Sequence, residues 1–325
     1  MNSVVTKSKK SDARESDMRI LVVGAGAIGG YFGARLLAAG RDVSFLVRPR
    51  RAEQLRKNGL QVSSTLGDIE LPAPPLVSAG SIGGYYDLII VSSKSYDLDA
   101  SINDFAAAMG PDSQVLPLLN GLRHLDVLDA RFGAPRVLGG LARISSTLDA
   151  DGRIRHLGSF NALVFGARRG VANAHIDRVA RTLQGTGFDA LRSEDILHEM
   201  WEKWVFIAAA AAATSLMRAT VGDIVAAGAQ NIPTGLMEEC AAIADANGFA
   251  PRAAAIDTGL GVLTAPGSAF TASMLRDIEQ GARIEADHIV GDLLSRRAPG
   301  LAAPLLATAY SHLKAYEARR AREAR

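Results

Sequence analysis

The stretch "MRILVVGAGAIGGYFGARLLAAG", residues 18–40, decides how the first half of the chain is read. Its opening is a short apolar run that ends at Gly24, and the residues from Ala27 onward take helical spacing up to a glycine stop at Gly40. Between them lies "GAGAIG" (24–29), a GxGxxG pattern. Alone the pattern is weak. It becomes informative here because it follows a strand, opens a helix and is followed by a second strand, "DVSFLV" (42–47). In that context Gly24 allows the tight turn, Gly26 lets the backbone approach a pyrophosphate, and Gly29 lets the helix pack closely on the strand. Ala27 and Ile28 complete the loop, and the helix N-terminus offers unpaired N–H groups and a positive dipole end to phosphates.

Working outward, "DLIIVSSK" (87–94) and "SQVLPLLNG" (113–121) read as further strands. Short apolar runs separated by helices imply a parallel sheet covered on both faces. "GLQVSSTLGDIELPAPPLV" (59–77) reads as a β excursion with a Gly-Asp turn. Strands are expected at 137–144 and 153–166 around the turn "DADG" (149–152), and a helix at 173–187. From Ser193 the pattern is almost entirely helical, punctuated by Pro and Gly, and "SEDI" (193–196) has the serine and acids of a helix start. The expectation is an α/β protein: a polar leader (1–17), a Rossmann-type nucleotide-binding domain (18–193) and an all-helical C-terminal domain (194–325).

Composition bounds the function. The 325 residues are 48% hydrophobic and 22% charged, enough for a substantial core, with a net charge of +2 that gives no global field toward nucleic acid or anionic membrane. A single cysteine, Cys240, excludes an intrachain disulfide and a multi-cysteine zinc site, and fits a cytoplasmic setting. The uncharged run after Lys203, with six alanines at 208–213, is shorter than the ~20 apolar residues of a membrane helix, so no membrane association is expected.

The end of the second strand bears on the cofactor. It carries "RPRR", Arg48 with Arg50 and Arg51, where an NAD site commonly has an acid for the ribose hydroxyl. Guanidinium groups can grip a 2′-phosphate, which points to NADP(H) with Arg48 as first contact. Lys94 and Asn120 end later strands, on the edge where ligands of such sheets lie; a loop lysine and a helix cap are the plain alternatives. A ketone that gains hydride needs a proton donor. The six histidines are scattered, and Lys203, two turns into the helix that begins the second domain, reads locally as a surface residue.

Taken together, "VVGAGAIGGYFGARLLAAGRDVSFLVR" (22–48), "VSSKSYDLD" (91–99), "LLNG" (118–121), "MWEKW" (200–204) and "SMLRDIEQGARIEADHIVG" (273–291) give a chain that resembles the ketopantoate reductase (2-dehydropantoate 2-reductase) family. The resemblance implies NADP(H)-dependent reduction of a small 2-keto acid. It places Lys203 on the catalytic general acid, Glu285 on the acid that hydrogen-bonds substrate, Ser273 on the serine that contacts the substrate carboxylate, Asn120 and Lys94 at the nicotinamide end, and Arg48 on the 2′-phosphate arginine. A homodimer is compatible with it. The family's two asparagines at four-residue steps after the lysine are Ile207 and Ala211 here, and another is Val290, which leaves a more apolar carbonyl substrate open. An NADP(H)-binding sensor with little catalysis and an opine-type or β-hydroxyacid dehydrogenase are the other readings.

Overall fold

The computed structural model describes residues 18–168, 171 and 173–323; the expected leader, residues 1–17, lies outside them. Ten strands occur among these residues: β1 (Ile20–Val23), β2 (Val43–Leu46), β3 (Leu60–Ser63), β4 (Ile69–Leu71), β5 (Leu76–Val77), β6 (Tyr86–Val91), β7 (Met109–Pro117), β8 (Gly139–Leu148), β9 (Ile154–Gly166) and β10 (Asp189–Arg192). The α-helices are α1 (Ala27–Ala38), α2 (Pro49–Asn58), α3 (Leu98–Phe105), α4 (Arg123–Phe132), α5 (Ile176–Leu183), α6 (Ile196–Met217), α7 (Val221–Ala226), α8 (Asn231–Ala246), α9 (Ala253–Leu263), α10 (Ser273–Glu279), α11 (Asp292–Ser295) and α12 (Pro304–Glu323). A π-helical turn covers Asp287–Gly291.

The described residues divide into two compact units, one within 18–119 and 124–196, the other within 120–123 and 197–323. The first holds a parallel sheet ordered β5-β2-β1-β6-β7. Its central strands are the near-continuous apolar runs of the sequence, and β1 is buried along its whole length. This is the Rossmann-type arrangement that the strand-glycine-helix pattern implies.

A second five-stranded sheet was not foreseen. The excursion over 59–77 does form β3 and β4, paired antiparallel, but β3 also pairs parallel with β9. The long strands β8 and β9 form an antiparallel hairpin, and β10 adds to β9. Helix α1 meets both sheets, so residues Gly29 to Leu36 are buried consecutively rather than on one stripe. Glycine makes the approach feasible on each side. A Cβ at Gly33 would meet the Phe45 ring on β2 at 2.4 Å, and one at Gly30 would meet Ile154 Cδ1 on β9 at 2.4 Å. Tyr31, Phe32, Phe45, Ile154, Leu163 and Phe165 form one core with the apolar residues of β1 and β6.

Among the described residues the second unit contains helices and no strand. Its longest helix, α6, runs through the alanine segment, and Ala208 to Ala213 are each at most 3% exposed. Small side chains on every face let neighbours approach, which explains the run as an interior helix. Among the described residues no helix is long and apolar enough to cross a membrane. At the start of α6 the expected serine signal forms a local turn: Ser193 Oγ accepts the Asp195 N–H at 3.1 Å, and the first helical residue is Ile196.

Candidate functional site

In the first unit the candidate residues gather at the carboxyl edge of the parallel sheet. β1 is followed by Gly24, whose φ of +93° is a conformation that residues with a side chain rarely adopt. Ser92, just past β6, ties this turn down: its hydroxyl donates to Val23 O at 3.0 Å and is shared with Gly24 O at 3.1 Å. A Cβ at Gly29 would lie 2.0 Å from Ser92 Oγ and 2.3 Å from Gly24 O, so the protein itself explains this glycine. Gly26 is different. Its backbone, φ −83° and ψ −161°, suits any residue, and an added Cβ would meet nothing within 4 Å. Nothing in the protein demands glycine there, and the open space beside it has the character of a ligand cradle. Ala27 and Ile28 follow as the first residues of α1.

Arg48 caps α2 in an extended conformation and is exposed, with Nη2 3.0 Å from Asp97 Oδ1. Arg50 is exposed as well. Arg51, which local pattern could not separate from a surface arginine, turns inward: its Nε donates to Ala25 O of the glycine loop at 2.9 Å and its Nη1 to Gly152 O at 3.1 Å. It braces the loop from behind, a role readable only once the 149–152 turn is seen beside α2. Lys94 is exposed and precedes the 3-10 turn Ser95–Asp97, accepting the Asp97 N–H on its carbonyl at 2.9 Å.

The second unit carries the remaining candidates. Lys203 is half-buried on α6. Its neighbour Trp204, fully buried, donates from Nε1 to Ile289 O at 2.8 Å and so joins α6 to the π-helical turn. Glu285, half-buried, enters that segment and accepts the Ile289 N–H on its carbonyl at 3.0 Å. The π turn widens the helix by one residue per turn, a feature often found at functional sites. Asn120 belongs to this unit rather than to the sheet it follows. Gly121, φ +74°, packs so tightly on the turn that a Cβ would lie 3.0 Å from His288 O. Burial holds the His288 ring below the usual histidine range, against the opposing pull of Glu285, the Asn120 backbone and Asp292. Sequence reasoning passed over His288 because a lone histidine carries no local signal.

Ser273 is the exposed first residue of α10, and the N–H of the preceding Ala272 reaches Thr214 Oγ1 of α6 at 3.4 Å. Thus α6 is bonded to the segments bearing both Glu285 and Ser273. Ile207 is half-buried one turn beyond Lys203, Ala211 is 3% exposed and Val290 is fully buried.

Comparison with known proteins agrees with this architecture. The family described as Ketopantoate reductase PanE/ApbA matches residues 20–170, and its C-terminal counterpart matches residues 195–317. The chain is 38% identical over 304 residues to the uncharacterized oxidoreductase YkpB of Bacillus subtilis, covering 93% of this chain and 99% of that one. The crystal structure of 2-dehydropantoate 2-reductase from Geobacter metallireducens GS-15 superposes with a TM-score of 0.83 at 31% identity, over 92% of this chain and 99% of that one. The ternary structure of D-mandelate dehydrogenase with NADH and anilino(oxo)acetate shares the fold at a TM-score of 0.84 and 21% identity, over 93% and 99%. By the two family matches, which between them span most of its length, and by these relatives, the chain is an oxidoreductase that belongs to the ketopantoate reductase family.

Proposed function

We propose that this protein reduces a small 2-keto acid, such as 2-dehydropantoate, to the 2-hydroxy acid with NADPH. The observation that carries the reading is the direct bonding among the elements that bear the candidate residues. Trp204 beside Lys203 holds the turn entered by Glu285, Thr214 holds the start of the Ser273 helix, and the Asn120–Gly121 loop rests on His288. The open cradle at Gly26 and the exposed Arg48 fit the pyrophosphate and the 2′-phosphate of the dinucleotide. When bound, the reduced nicotinamide supplies the hydride.

This chain's residues then do the rest. The Lys203 ammonium hands its proton to the carbonyl oxygen as negative charge develops there, sparing a free alkoxide. The Glu285 carboxylate accepts a hydrogen bond from the nascent hydroxyl and keeps the ammonium aimed. The Ser273 hydroxyl donates to the substrate carboxylate. Asn120 and Lys94 orient the nicotinamide end and the carbonyl. In this scheme the protein works as a soluble cytoplasmic enzyme, as a homodimer or alone, without nucleic acid or membrane.

A second reading keeps the reaction and changes the substrate. Ala211 and Val290 offer no polar atom where family members place amides, and Ile207 adds a branched apolar chain one turn from Lys203. These groups favour a keto acid or other carbonyl compound with an apolar side chain over one with a hydroxyl to satisfy.

The test is an NADPH-oxidation screen over 2-keto acids of increasing apolar bulk, with ketopantoate included, run on the wild type and on Lys203→Ala. Loss of the general acid should lower kcat by about a hundredfold or more while the NADPH Kd stays within about threefold. Near-normal turnover by the variant would remove Lys203 from the mechanism. No carbonyl-dependent oxidation with any substrate would favour a sensor. A best substrate with an apolar side chain would choose the second reading.

A further inference from the structure

The parallel sheet places β2 and β6 on either side of β1, with all three carboxyl ends at one edge. Arg48 leaves the end of β2, and Asp97 closes the 3-10 turn just beyond β6. Their 3.0 Å ion pair therefore spans the end of β1, where the glycine turn sits. The Arg48 side chain remains 59% exposed and that of Asp97 25%, so both can be reached by a ligand without unfolding anything.

Building on Arg48 as the 2′-phosphate contact, we propose that Asp97 is a specificity-determining residue that sets the preference between NADPH and NADH. In the free protein its carboxylate neutralises Arg48. A 2′-phosphate, with close to two negative charges, must draw the guanidinium away from that partner or share it, and meets the carboxylate's charge as it does so. A bare ribose faces the reverse situation. Its 2′-hydroxyl can donate to Asp97, and NAD sites commonly use an acid at the end of the second strand for that bond. Here the second strand ends in arginine, and the acid arrives from across the crevice. One ion pair thus presents a group for each cofactor, and the preference for NADPH is held down.

The experiment is a fluorescence titration of NADPH and of NADH against the wild type, Asp97→Asn, Arg48→Ala and the double variant, with thermal melts to verify folding. Asp97→Ser serves as a second substitution at the same position. Asp97→Asn should tighten NADPH by on the order of two- to fivefold, the scale on which an exposed ion pair acts, and leave NADH unchanged or weaker. The ratio of the two Kd values should rise accordingly, and the effect on NADPH should shrink when Arg48 is already alanine. A ratio that moves less than twofold in both Asp97 variants, while Arg48→Ala still weakens NADPH selectively, overturns the role of Asp97 and leaves the cofactor reading standing. Equal weakening of NADPH and NADH by Arg48→Ala overturns both.

Discussion

Two glycines three residues apart, Gly26 and Gly29, should respond to alanine in opposite ways, and the contrast tests whether the loop is built for a dinucleotide. At Gly26 the backbone already suits alanine, and its Cβ would meet nothing within 4 Å. Removing glycine freedom from the unfolded chain stabilises by about 0.4–1 kcal/mol. Alanine is a poorer N-cap than glycine for α1, by about 0.5–1 kcal/mol. The terms nearly cancel, so Gly26→Ala should melt within about 2 °C of the wild type. Its methyl group would nevertheless stand in the space a pyrophosphate needs, and overpacking of about 3 kcal/mol corresponds to about a hundredfold loss of NADPH affinity. At Gly29 the added Cβ would lie 2.3 Å from Gly24 O, a backbone atom with no freedom to retreat, and 2.0 Å from Ser92 Oγ. Shifting Ser92 gives up the one hydrogen bond its hydroxyl shares between Val23 O and Gly24 O, worth about 1 kcal/mol, on top of about 1–3 kcal/mol of overpacking. Gly29→Ala should therefore lose about 2–4 kcal/mol of stability. Thermal melting and NADPH titration on both variants decide the matter. A Gly26→Ala protein that binds NADPH like the wild type would refute the pyrophosphate cradle, and a Gly29→Ala protein that melts normally would refute the packing argument.

Two further outcomes follow from the helical unit. Trp204→Phe deletes the buried donor to Ile289 O and should cost about 2–4 kcal/mol in urea unfolding, with a lowered kcat because Glu285 loses its anchor, while NADPH binding is unchanged. Glu202 on α6 gains more from its hydrogen bonds and ion pair with Arg252 than burial takes away, which holds its carboxyl below the usual range. A depressed carboxyl stabilises the fold above its unfolded pKa and loses that contribution as pH falls through the folded one. Glu202→Gln should thus be less stable than the wild type by about 1 kcal/mol at pH 7, and the two melting curves should converge below about pH 4. A gap that persists at low pH would show that Glu202 acts by packing rather than by charge.

The first sheet was legible because its determinants are local. β1, β2 and β6 are short, mostly apolar runs, and Gly24 marks the turn after β1; β5, the pair Leu76–Val77 at the end of the 59–77 excursion, carries no such signal of joining β2. The second sheet was not, because β3 pairs with β9 across some ninety residues, and no local pattern encodes that partner. The same limit applied to the site. From Trp204 to Ala213 every residue of α6 is apolar, on all faces of the helix, so periodicity does not point to one functional stripe; family likeness, not local chemistry, singled Lys203 out.

By itself, then, the sequence determined the strand-turn-helix unit, the uncharged interior helix and the residue types available for hydride chemistry, since these follow from spacing along a few consecutive turns. Only the tertiary structure decided that Asn120 and Gly121 pack with the helical unit against His288, that Arg51 braces the glycine loop while Arg48 faces Asp97, and that Trp204 fastens α6 to the turn of Glu285. Those contacts join residues from about twenty-five to nearly one hundred and seventy positions apart. They are set by which surfaces the folded chain brings together, and short-range pattern carries no record of that choice.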